Sequence, residues 1–159
     1  SRDRLNSIIK HREPFRPLAP ALQDETAGRY LYLPRADLGT MTVAVRTRSF
    51  MRQHLPAAVH VDGTARAQLV SRSEQPLFWR LIDAFGNLTG HPVLLNTSFN
   101  GRGQPIVRTA TEAFTTFSAH PVDVLVVNQT VWAKDPWREA FKSALRNRPS
   151  KIGTTGEPR

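Results

Sequence analysis

The sequence contains no cysteine, which excludes disulfides and thiolate metal sites and makes a reducing cytoplasm the expected compartment. No apolar run approaches the roughly 20 residues that span a bilayer, and the opening Ser1-Arg-Asp-Arg-Leu5 carries no hydrophobic signal region. No GxxxxGK(S/T) phosphate loop occurs, and the five histidines show no metal-ligand spacing. Acidic residues are scarce, with 13 Asp and Glu against 22 Lys and Arg, for a formal charge of +9. Aromatics make up only 8% of the chain and fall mostly at core spacings, leaving few platforms on which bases would stack. The first residue is not methionine, so the chain reads as a fragment or a processed chain.

At 159 residues the chain has enough length to bury a core as one domain. Its basic balance attracts phosphate, whether in nucleotides, nucleic acids or acidic lipids, and charge alone does not choose among them. Part of the excess sits near the end, where Arg138, Lys142, Arg146, Arg148, Lys151 and Arg159 oppose Glu139 and Glu157. That stretch reads as a solvated extension, disordered over 149–159.

Leu5, Ile8 and Ile9 give the opening segment the apolar side of a helix end. Pro14, Pro17 and Pro20 then impose an extended path. A polar turn is predicted over 23–28, strands over 29–34 and 38–48, and a helical turn over 50–55 stopped by Pro56. Residues 57–70 alternate around Asp62-Gly63 and read as a hairpin. Pro76 opens a helix whose apolar side is Phe78, Leu81, Ile82 and Phe85. Pro92 to Asn96 is a buried strand that runs into the polar loop Thr97-Ser-Phe-Asn-Gly-Arg-Gly103. Thr109 and Glu112 have capping-box spacing before a helix through Phe117. A core strand over 122–128, an edge strand over 131–134 and a terminal amphipathic helix over 136–148, with Trp137, Phe141 and Leu145, complete the pattern. Interleaved strands and helices predict an α/β fold: a mixed sheet with helices packed on it, as a single domain.

Two polar clusters carry the chemistry. In Lys10-His-Arg-Glu-Pro-Phe-Arg16, extended backbone lets Lys10, Arg12 and Arg16 project to one face. An anion between them relieves their repulsion, arginine offering forked donors and lysine a point charge; a solvated basic edge is the plainer alternative. In Asn96-Thr-Ser-Phe-Asn100, followed by Gly101-Arg-Gly103, short polar side chains and glycines follow a strand, where α/β sheets hold ligands. A self-bonded polar turn fits that loop equally well. His60 and Asp62 share a strand face but read as a histidine beside a turn aspartate rather than a metal pair.

Lys10-His-Arg12 with Ser98-Phe-Asn100 matches the KxR…SxN pattern of the YrdC-like superfamily. Three blocks, 9–20, 59–68 and 92–107, further resemble, in order, the C-terminal domain of NodU/CmcH-type O-carbamoyltransferases. The likeness covers about residues 5 to 132. It departs at Gln104, where many relatives carry an acidic residue. The resemblance implies a YrdC-like twisted sheet over 1–135 that converts carbamoyl phosphate and ATP, with Mg²⁺, to carbamoyl adenylate and pyrophosphate. A separate N-terminal Kae1-like domain, which carries iron, then moves the carbamoyl group to a hydroxyl of a small-molecule natural product. By the same resemblance Lys10, Arg16, Arg66 and Ser98 hold carbamoyl phosphate and its successor. Arg12 and Asn100 grip nucleotide phosphates, with Asn96, Thr97 and Arg102 as additions from the loop. Charge builds on phosphoryl oxygens in such a reaction, so cations matter more than a covalent nucleophile. Ser98 has no base partner in the pattern and is read as an orienting hydroxyl. No metal ligand is expected in this chain, no membrane partner, and nucleic acid is disfavoured. The rival readings are a basic nucleic-acid-binding module and a catalytically inactive partner domain.

Overall fold

A computed structural model describes residues 5, 6, 13 and 17–146. Lys10, Arg12 and Arg16, the apolar pair Ile8 and Ile9, and the basic stretch from residue 147 lie outside the described residues. The chain divides into two compact units, Ser1–Arg102 and Gly103–Arg159, and the class is mixed α/β.

The first unit is built on a three-stranded sheet with β1 (Ala19–Gln23) in the middle. β1 runs parallel to β4 (Gln68–Val70) and antiparallel to β5 (Val93–Asn96), so the sheet is mixed. Pro20 is tolerated in this central strand because the ladder to β4 begins only at Ala21; Pro20 itself pairs with Leu95 alone. One face of the sheet packs Leu22 and Val93 into a core with Ala27, Tyr30, Leu31, Val45 and Met51. The other face packs Ala21, Val70 and Leu94 against Phe78, Trp79 and Ile82 of a long helix, α2 (Pro76–Thr89). Fully burying one such side chain stabilises by about 1.5–3 kcal/mol.

α2 begins with Pro76 at its first turn, where a missing N–H costs nothing. It ends at Gly90 in the left-handed region (φ 78°), whose N–H bonds to the Gly86 carbonyl at 2.8 Å. Leu81 and Phe85, expected on its buried side, are instead 57% and 38% exposed. The sheet is only three strands wide, and Phe78, Trp79 and Ile82 already cover the area it offers.

Three expectations change in this unit. The strand over 29–34 is reduced to a single bridge, Leu31 to Thr47, because Tyr30 and Leu31 are pinned in the core directly after a 3-10 turn over Asp24–Arg29. The strand over 38–48 survives only as β2 (Val45–Arg46), since Met41 adopts a positive φ of 58° that breaks an extended path. The hairpin over 57–70 does not form. The tight turn is present, with the Gly63 N–H on the His60 carbonyl at 3.0 Å, but the flanking runs pair elsewhere. β3 (Thr64–Ala65) pairs with β2, and β4 pairs with β1. The Val59 and Val61 alternation therefore splits, with Val59 against the core and Val61 99% exposed at the turn tip. A short helix, α1 (Ser49–His54), lies where the helical turn was expected.

The second unit contains α3 (Ala110–Ala119), the hairpin β6 (Val124–Val127) to β7 (Thr130–Ala133), and α4 (Trp137–Arg146). The capping signal is realised: the Glu112 N–H donates to Thr109 Oγ1 at 3.1 Å, and the Glu112 carboxylate accepts from the Arg108 N–H at 2.8 Å. Such a cap contributes about 1 kcal/mol. Leu125 and Phe117 are buried, whereas Val126 is 59% exposed. β6 is thus half-buried in a two-stranded ribbon rather than a core strand covered on both faces.

Candidate functional site

A cavity of about 320 Å³ opens at the start of β1 and the end of β5. Pro17, Leu18, Ala19, Thr40, Met41, Arg66, Asn96, Thr97 and Ser98 line it. Antiparallel pairing of Ala19 with Asn96 sets this geometry. It brings Pro17, Leu18 and Ala19 to the same cavity as Asn96, Thr97 and Ser98. Arg66, two residues before β4, joins them from the far side of β1. The volume suits a small phosphorylated molecule.

Of the residues singled out from the sequence, Arg66, Asn96, Thr97 and Ser98 share this lining. Asn100 is joined to it through Ser98, whose hydroxyl donates to Asn100 Oδ1 at 2.7 Å. That bond orients the serine hydroxyl. Arg102 is exposed and does not line the cavity. Lys10, Arg12 and Arg16 lie outside the described residues, although the chain from Arg16 leads directly into Pro17 on the cavity wall.

Among the described residues Arg66 has no carboxylate partner, so its positive charge faces the cavity uncompensated. A cation in a concave polar site concentrates anions there. Asn96 is held by two contacts. Its Nδ2 donates to Gln68 Oε1 at 2.7 Å and lies 3.8 Å from Met41 Sδ. Met41 is a non-glycine residue in the left-handed region, a conformation that costs about 1–3 kcal/mol and concentrates at ligand sites.

Sequence reasoning missed Thr40, Met41 and Gln68. Nothing local marks Thr40 or Met41, whose place depends on the path of a loop. Gln68 did carry a signal: it lies two residues beyond Arg66, where an extended chain repeats its face.

Asp62 is engaged within its own turn, as the turn-aspartate reading expects. The Asp62 carboxylate accepts from the Thr64 hydroxyl at 2.7 Å and the Thr64 N–H at 2.9 Å. These bonds, the hydroxyl first, hold its pKa below the ordinary aspartate value. Among the described residues no group of three or more His, Cys, Asp or Glu converges as a metal site. None of their helices is long and apolar enough to cross a membrane.

The chain is similar in sequence to several known proteins. Nodulation protein NolO of Bradyrhizobium diazoefficiens is 43% identical over 138 residues, covering 86% of this chain and 25% of the relative. Nodulation protein NolNO of Sinorhizobium fredii is 45% identical over 129 residues, covering 80% and 19%. A 3'-hydroxymethylcephem-O-carbamoyltransferase of Amycolatopsis lactamdurans is 35% identical over 131 residues, covering 82% and 24%. The chain thus spans between 19% and 25% of the length of these relatives. The profile described as Carbamoyltransferase C-terminus matches residues 1–134, which takes in both polar clusters and every residue lining the cavity, and the chain belongs to that family.

Proposed function

We propose that this chain is the carbamoyl-activating part of an O-carbamoyltransferase, and that its cavity binds carbamoyl phosphate and ATP. The observation that carries the reading is the convergence of Arg66 with Asn96, Thr97 and Ser98 in one cavity. In this reading water releases inorganic phosphate from carbamoyl phosphate and leaves carbamate. A carbamate oxygen then attacks the α-phosphorus of ATP, and pyrophosphate departs with the electrons of the broken P–O bond. Carbamoyl adenylate is the product.

Each residue in the reading has a task suited to its chemistry. Arg66, with Lys10 and Arg16, neutralises charge on the phosphoryl oxygens. Ser98 orients the ligand through its hydroxyl, fixed by Asn100. Arg12, Asn100 and Arg102 bear on the nucleotide phosphates, and Thr97 adds a donor on the loop. Mg²⁺ would arrive on the triphosphate and supply further charge neutralisation, since no carboxylate is among the described residues that line the cavity. Iron in this reading belongs to an N-terminal Kae1-like domain, as the family resemblance implies. That domain transfers the carbamoyl group to a hydroxyl of a small natural product, as the name of the cephem relative suggests for its own reaction.

The test is direct. The chain, alone and with the N-terminal part of a relative, is mixed with ATP, Mg²⁺ and carbamoyl phosphate, and inorganic phosphate and pyrophosphate are measured. Equal amounts of both are expected. Arg66→Ala should lower the rate by roughly a hundredfold. Absence of pyrophosphate under both conditions would overturn the reading.

A further inference from the structure

The orientation of the Asn96 amide is set from outside the cavity. Ala21 pairs with Gln68, and Ala19 pairs with Asn96. Directly paired residues, and residues two apart on a strand, project to one face. Gln68, Ala21, Ala19 and Asn96 therefore share a face of the sheet. β1 contributes only methyl groups between the two amides. The long Gln68 side chain can cross over the central strand, and it does so, accepting from Asn96 Nδ2 at 2.7 Å. The second direction of Nδ2 is occupied by Met41 Sδ at 3.8 Å. Asn96 lines the cavity, whereas Gln68 does not. Among the described residues nothing donates to Asn96 Oδ1.

We infer that Gln68 is a positioning residue, and that by holding Nδ2 it leaves Asn96 Oδ1 as the acceptor that selects a ligand bearing an N–H group. The inference rests on the carbamoyl-activating reading and sharpens it. A carbamoyl group and an acetyl group have nearly the same size and shape. They differ in NH₂ against CH₃, and the cations that hold the phosphate cannot read that difference. An acceptor locked beside the ligand can. The carbamoyl amine donates to it, whereas an acetyl methyl leaves it desolvated and unpaired. An unlocked asparagine would turn its own NH₂ toward the methyl or the amine with little preference. The glutamine is needed because an amide presents two ends of similar shape and opposite polarity.

Titration calorimetry with carbamoyl phosphate and acetyl phosphate tests this on the chain as it stands. The wild type should prefer carbamoyl phosphate by about tenfold or more. Gln68→Leu should bring that ratio close to one, by weakening carbamoyl phosphate far more than acetyl phosphate. Gln68→Glu retains an acceptor for Nδ2. It should keep the preference even if its charge weakens both ligands together. An unchanged ratio in Gln68→Leu, or an equal loss for both ligands, overturns the inference. Equal binding of the two phosphates by the wild type overturns it as well and leaves the carbamoyl-activating reading standing. Binding of neither removes both.

Discussion

At the residue scale, Tyr30 shows how packing can outweigh polar satisfaction. Its ring is fully buried and sits 5.6 Å from that of Phe50. Its hydroxyl has no hydrogen-bond partner among the described residues. Burial pushes the phenol pKa up, with the charge of Arg29 working in the opposite direction. A buried, unpaired hydroxyl is a net cost, while the ring contributes its full hydrophobic burial. Tyr30→Phe removes the cost and keeps the ring. Urea unfolding should show a gain of about 1 kcal/mol, where loss of a hidden partner would give a decrease instead. The core was legible at this position only as an aromatic in a short apolar run. No local pattern could reveal that its polar end would be stranded.

At the element scale, the sharpest constraint is the approach of α2 to the start of β5. A Cβ on Gly86 would lie 2.7 Å from Pro92 Cβ and 3.0 Å from Pro92 Cα. Alanine gains about 1 kcal/mol over glycine inside a helix. Overpacking against a proline backbone costs typically 1–3 kcal/mol, and a proline cannot rotate away. Gly86→Ala is expected to destabilise by about 1 kcal/mol net, measured by thermal or urea unfolding. β5 ends in Asn96, so the same substitution should also weaken carbamoyl phosphate binding, read by calorimetry. The opposite face of α2 leaves Leu77, Leu81 and Leu88 at 77%, 57% and 87% exposure. The helix itself was legible from its proline start and glycine end, because those signals act within one turn. Which stripe of it would be buried was not, because both stripes are apolar and the sheet has width for only one.

At the scale of the whole molecule, the proposed function together with the net charge of +9 and the uncompensated Arg66 predicts electrostatic capture of the anionic ligands. Interactions among exposed charges are screened over about 10 Å at 0.1 M salt and about 3 Å at 1 M. The affinity for ATP and for carbamoyl phosphate should therefore fall as sodium chloride rises from about 0.05 to about 0.5 M. The fall should be steeper for ATP, which carries more charge. An affinity indifferent to salt would mean that neutral hydrogen bonds, not cations, dominate the site.

The chain alone determined whatever depends on near neighbours. The proline-started α2, the capped α3, the Asp62 turn and the strand leading into the Asn96 loop were all readable because their causes lie within a few residues. The blocks of resemblance single out Arg66 and Ser98, which share the lining of one cavity. Only the tertiary structure decided the pairings. It sent the two halves of the expected hairpin to different partners, β3 to β2 and β4 to β1. It set Ala19 against Asn96, which gathers the cavity, and it brought Met41 and Gln68 to the Asn96 amide. Strand pairing is a competition among all available edges, settled by which arrangement buries the most apolar surface, and no window of the sequence contains that comparison.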